Sequence, residues 1–156
     1  GKGVVPSMDV LLDGLLPDTP RAGAGRDAEV LLERVRAEAF PARPSRLRCH
    51  FLSYCEEVAR RRQHTMFRTP GRRLVRCQLL GAGHVHFADV DQYERLQGRP
   101  EDEALARRYW APFTPMTVDE FERLEVLTST ALYFPDWQTF PTIDALSLTQ
   151  WQRDQG

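Results

Sequence analysis

The chain has 156 residues, 42% of them hydrophobic, and a formal net charge of −1, so it is expected to fold as one domain spanning residues 1–156 around a sizeable core. No run of about 18 apolar residues exists, which argues against a helical membrane span. Val4 to Leu16 is broken by Pro6, Asp9 and Asp13 and does not read as a signal peptide.

Three cysteines, Cys49, Cys55 and Cys77, lack CxxC spacing; they are expected to be small buried apolar side chains rather than zinc ligands or a disulfide framework. The basic residues are 20 Arg and one Lys. Charge is segregated: Arg43 to Arg76 holds ten Arg against Glu56 and Glu57, whereas Asp89 to Glu125 holds ten acids against five Arg. A basic middle followed by an acidic third predicts a side suited to an anionic ligand.

In chain order, Ser7 to Leu16 predicts a short helix with Ser7 as N-cap, and Asp18 to Gly25 a Pro/Gly/Ala loop. Asp27 to Ala39 predicts a helix, because Ala28, Leu31, Leu32, Val35 and Ala39 recur at helical spacing. Pro41 and Pro44 then stop it, and Arg46 to Tyr54 alternates as a strand. Glu56 to His64 predicts a helix with Val58 and Ala59 inward and Arg60, Arg61 and Arg62 outward. Arg72 to Leu80 and His84 to Ala88 read as strands joined by Gly81-Ala82-Gly83, a candidate hairpin. Asp89 to Leu96 and Glu101 to Trp110 predict helices, the first capped by Asp89 or Asp91, the second with acids at its start and Arg107 and Arg108 at its end. Ala111 to Thr117 is a loop, Asp119 to Glu125 an acidic loop, and Glu122 to Phe134 a β-rich strand or strand pair. Pro135 to Gly156 predicts a closing strand and helix. Strands and helices without strict alternation point to an α+β fold.

The chain has no GxxxxGK[ST], GxGxxG, HExxH or GxSxG motif. His84 and His86 form an HxH pair whose side chains would share one face of a strand, an arrangement open to a metal or to acid–base chemistry. The loop Phe40 to Ser45 is a rigid presentation of Arg43, Ser45 and, at its end, Arg46. Glu125 stands where acidic residues give way to the apolar run Val126-Leu127, so its carboxylate is expected to be stiffly held and suited to stabilising a developing cation. Tyr109-Trp110 ends a helix and offers either core packing or a wall for a planar ring.

The order of these features, from Phe40-Pro41 and Arg43-Pro44-Ser45-Arg46 through the Arg-rich helix and Tyr109-Trp110 to Arg123-Leu124-Glu125-Val126-Leu127, resembles ADP-ribosyltransferase-like domains. It is most similar to a bacterial branch found at the C-terminal ends of polymorphic, Rhs-type toxins. The resemblance implies an α+β fold with a split, mixed β-sheet core and flanking helices that clamps NAD. It implies Glu125 as the catalytic carboxylate, with Glu122 of Glu120-Phe121-Glu122 as the other register. Arg43 and Arg46 would meet the pyrophosphate, Ser45 the ribose, and Tyr109 and Trp110 would line the site. Arg60, Arg61, Arg62, Arg72 and Arg73 would bind the acceptor, RNA before protein. No metal is implied. The resemblance also implies a secreted effector acting in a target cell's cytoplasm, met there by a cognate immunity protein. Two departures stand out: Val4-Val5-Pro6 carries neither His nor Arg, and Arg123 lies two residues before Glu125. Two other functions fit the same residues: a metal-independent RNase using His84 or His86, and a non-catalytic Arg-rich binding module.

Overall fold

A computed structural model describes residues 3–5, 25–65, 74–81 and 84–139. The helix expected at Ser7 to Leu16, the loop before Gly25, Arg72, Arg73 and most of the C-terminal tail lie outside the described residues.

Helix α1 spans Arg26–Ala39, and its Ala28, Leu31, Leu32 and Val35 are buried as the periodicity requires. Gly25 precedes it with φ +96, and a Cβ there would come within 2.9 Å of Gln97 Nε2 and 3.2 Å of Tyr93 Oη. Only glycine allows both that backbone and that approach. A 3-10 turn over Arg46–Arg48 follows, capped by Ser45, whose Oγ accepts from the Leu47 N–H at 3.2 Å. Strand β2 is therefore only His50–Ser53; the strand expected from Arg46 is shortened because Ser45 turns the chain first. Helix α2 covers Glu56–Thr65.

Strands β3 (Gln78–Leu80) and β4 (Val85–Asp89) come next. Helix α3 (Val90–Gly98) is capped by Asp89 and helix α4 (Glu103–Trp110) by Asp102. The expected acidic loop is instead helix α5, Val118–Arg123. Thr117 and Glu120 form a capping box, and Glu120 also accepts from the Met116 N–H at 2.8 Å. That Thr-x-x-Glu signature satisfies the helix's orphan amides and converts an acidic stretch into ordered structure. Strand β5 (Leu124–Thr128), β6 (Ala131–Tyr133) and a 3-10 turn at Trp137–Thr139 complete the described chain.

The strands form two antiparallel three-stranded sheets, β2-β5-β4 and β1-β6-β3, where β1 is Val4–Val5. The α+β class is as expected, but every described pairing is antiparallel rather than mixed. The expected β3–β4 hairpin does not form, since β3 pairs with β6 and β4 with β5. The reason lies in the β5–β6 corner. Thr128 Oγ1 accepts from the Thr130 N–H at 3.1 Å and donates to Thr130 Oγ1 at 3.0 Å, turning the chain from one sheet into the other. β5 and β6 are thereby dealt to different sheets, and β4 and β3 pair with them there.

Side chains alternate across β5. Leu127 shares its face with Glu125, and the same face carries their partners Phe51 and Ser53 of β2 and His86 and Ala88 of β4. Helices α1, α3 and α4 close over the apolar part of this face, with Leu32, Val35, Leu96, Ala106, Tyr109 and Trp110 in one cluster with Leu127, Ala88 and Cys49. Glu125 lies at the opening end of β5, where that cover begins. Among the described residues, no helix is long and apolar enough to cross a membrane.

Candidate functional site

Arg46 is the centre of the site. Its side chain is only 7% exposed. Its Nε donates to both carboxylate oxygens of Glu29 on α1, at 3.2 and 3.1 Å. Its Nη1 donates to Glu125 Oε2 at 2.6 Å and to the Tyr109 hydroxyl. Tyr109 in turn donates to the same Glu125 oxygen at 2.8 Å. The guanidinium carbon lies 4.2 Å from the ring centroid of Tyr93, 4.8 Å from Phe51 and 5.1 Å from Tyr109. Three rings and two carboxylates thus surround one delocalised cation.

Burial works against the Arg46 charge, but Tyr109, Glu125 and Glu29 outweigh it, and the pKa stands well above the ordinary arginine value. Burial likewise pushes the Tyr109 hydroxyl well above the ordinary tyrosine range, so it remains a neutral donor to Glu125. Glu125 is fixed through Oε2 alone. Among the described residues, Oε1 accepts no hydrogen bond, and the side chain retains 14% exposure. A carboxylate so arranged is oriented by two donors on Oε2, while Oε1 is left without a described donor and is not sealed from solvent.

The loop that delivers Arg46 is fastened to α1. Ser45 Oγ donates to Glu33 Oε2 at 2.9 Å, and Arg36 donates to Glu33 and to the Arg43 carbonyl at 3.2 Å. Ser45 is therefore a structural link, its hydroxyl committed to Glu33 and Leu47, rather than a ribose ligand. Arg46 points to Glu29 and Glu125, not outward to a phosphate. The Arg43 charge helps, after burial, to lower the pKa of His86.

Trp110 does not line the site. It is fully buried, donates from Nε1 to the Leu32 carbonyl at 2.8 Å, and stacks on His86 with centroids 5.3 Å apart. Glu122 is not the site's carboxylate either; helix α5 carries it outward into an ion pair with Arg61. Arg60 and Arg61 are exposed on α2, with Arg60 paired to Glu56 at 2.5 Å. Arg62 turns inward instead, because its Nη2 reaches the carbonyls of Glu122 and Leu124.

His86 is buried in the core. Its Nε2 lies 3.0 Å from the Tyr109 carbonyl, which can only accept, so Nε2 carries the proton. Burial lowers its pKa to about 4. A histidine so enclosed does not meet an RNA phosphate, whereas His84 is exposed. Cys49 is also buried, its thiol pushed up to about 12 chiefly by desolvation. No group of three or more His, Cys, Asp or Glu suited to a metal occurs among the described residues.

Sequence reading pairs Arg46, Tyr109 and Glu125 with one site, and the structure brings all three into contact. Glu29, Tyr93 and Phe51 were not anticipated. Glu29 and Tyr93 read as solvent-facing positions of amphipathic helices, and nothing local marks them as partners of a residue in a distant loop.

These features define an α+β protein with two split antiparallel sheets and a carboxylate–guanidinium–phenol site at the mouth of one of them. Residues 26–129, about two thirds of the chain, match the family described as protein of unknown function (DUF2441), and the chain belongs to that family. The matched stretch opens on α1 and ends just after β5, so it contains every residue of the site. No curated protein matches the sequence.

Proposed function

We propose that this protein is an NAD-dependent ADP-ribosyltransferase and that its two sheets form the split core of such an enzyme. The observation that carries the reading is Glu125, held through Oε2 by Arg46 and Tyr109, with Oε1 free of described donors and not sealed from solvent. Cleavage of the nicotinamide–ribose bond of NAD sends the bonding electron pair to the ring nitrogen. Nicotinamide leaves neutral, and the positive charge moves onto the ribose as an oxocarbenium-like state. The acceptor's nucleophile then bonds to that carbon and loses its proton. A fixed carboxylate beside the ribose favours the transition state over the ground state, since the charge arrives there only as the bond breaks. Arg46 and Tyr109 act as positioning residues. Phe51, 47% exposed and packed on Arg46, offers a planar contact for the nicotinamide ring.

The acceptor in this reading is a macromolecule, RNA before protein. Arg60 and Arg61 present guanidinium groups on α2, and their ion pairs are exposed, so phosphates compete for them readily. An effector toxin with a cognate immunity protein is the setting that accords with such an enzyme.

The test is nicotinamide release from NAD, followed by chromatography, with and without RNA. Glu125→Gln keeps an acceptor for Arg46 and Tyr109, so it is expected to hold its melting temperature. It should lose at least about 100-fold in turnover. Label from the adenylate half of NAD should enter RNA. Wild-type turnover in Glu125→Gln, or no nicotinamide release by the native chain, overturns the reading.

A further inference from the structure

Arg62 approaches the site from α2. Its Nη2 donates to the carbonyls of Glu122, at 2.9 Å, and Leu124, at 3.1 Å, the second being the residue just before Glu125. The side chain is half-buried. Burial lowers its pKa, and Glu125 and Glu94 act on it in the opposite sense, which sets its guanidinium within electrostatic reach of both. Yet it forms no ion pair with either. Among the described residues, its Nε and Nη1 donate to no protein acceptor, and neither is sealed from solvent without a hydrogen bond.

Among the described residues, the other guanidinium groups near this end of β5 are already engaged. Arg46 is locked between Glu29 and Glu125, Arg60 is on Glu56, Arg61 on Glu122, and Arg123 faces Asp89 at 3.5 Å. Arg62 is fixed through Nη2 by backbone carbonyls and keeps Nε–H and Nη1–H as donors, each able to meet one oxygen of an anion.

We infer that Arg62 is the anion-binding residue of the site, taking a phosphate or diphosphate of the ligand whose other end meets Glu125. The identity of that ligand rests on the transferase reading; the anion site rests on Arg62 itself. The inference moves the phosphate grip from the loop before β2, where Arg46 is consumed, to α2. It also ties the anion to catalytic alignment, because the atom that anchors Arg62 holds the α5–β5 junction from which Glu125 projects. Glu94, whose charge acts on Arg62 in the same sense as Glu125, opposes the anion.

Inorganic pyrophosphate titrated into the whole chain by calorimetry tests this. The native chain is expected to bind it, and Arg62→Gln to weaken binding by about tenfold or more. Glu94→Gln is expected to tighten it roughly two- to threefold. Arg107→Gln, which alters an exposed pair with Glu103, is expected to change nothing. If Arg62→Gln melts early, Glu94→Gln decides, since it leaves every hydrogen bond of Arg62 in place. No binding by the native chain, unchanged affinity in a folded Arg62→Gln, or no tightening in Glu94→Gln overturns the inference. Pyrophosphate binding that depends on Arg62 in a chain that releases no nicotinamide overturns the transferase reading and upholds the anion site. Nicotinamide release with pyrophosphate binding indifferent to Arg62 does the reverse.

Discussion

Arg46 carries the most consequential chemistry of any single residue. A guanidinium removed from water is costly unless its partners are well placed, and here Glu29, Glu125, Tyr109 and two further rings are placed around it. Arg46→Ala leaves Glu29 and Glu125 partly buried without their cation. It is expected to destabilise the fold by about 3–5 kcal/mol, measured by urea denaturation. Arg46→Lys keeps the charge but not the fork, and should recover only part of that loss. The sequence made Arg46 and Glu125 visible as candidates, since one ends a proline-rigid loop and the other opens an apolar strand. It could not show that they bond to each other, because 79 residues separate them. Nor could it show that Arg46 is spent on positioning rather than on phosphate.

At the scale of elements, local chemistry settled several outcomes that hydrophobic pattern alone did not. The capping box of Thr117 and Glu120 makes α5 from a stretch whose acids suggested a loop. Thr117→Ala removes one half of that box and is expected to cost about 1 kcal/mol. The urea midpoint should fall with an unchanged m-value. Because α5 runs directly into β5, the same variant should also lower any turnover that depends on Glu125. Strand pairing was less legible. Gly81 has φ +88 and does turn the chain, so a hairpin between β3 and β4 was a fair expectation. The pairing partners are chosen instead by β5 and β6, which a two-threonine corner sends into separate sheets. Turn residues specify that a chain reverses; which strand it meets is a long-range decision.

For the whole molecule, the buried histidine couples stability to pH. His86 has a folded pKa of about 4 against the ordinary 6.5. Between these values the unfolded chain binds the extra proton and the folded chain does not, so stability rises with pH across that window. The contribution is fully present above pH 6.5 and is lost as pH falls through 4. A shift of this size corresponds to about 3 kcal/mol. The melting temperature is expected to drop between pH 6.5 and 4, and His86→Gln should remove most of that slope. A slope unchanged in His86→Gln would show that other groups govern acid sensitivity.

The sequence by itself determined the helices whose apolar residues repeat at the helical period, the halt at Pro41 and Pro44, a helix start at Asp89 or Asp91, and the α+β class. These are short-range matters, decided by backbone sterics and by side chains within one or two turns of each other. Only the tertiary structure decided which sheet each strand joins, and that Trp110 and His86 are core while Glu29, Tyr93 and Phe51 belong to the site. It alone turned Arg46 inward to Glu125 and left Arg62 with donors to spare. Those outcomes depend on which charges share a desolvated space, and desolvation is a property of the packed molecule, not of any segment of its chain.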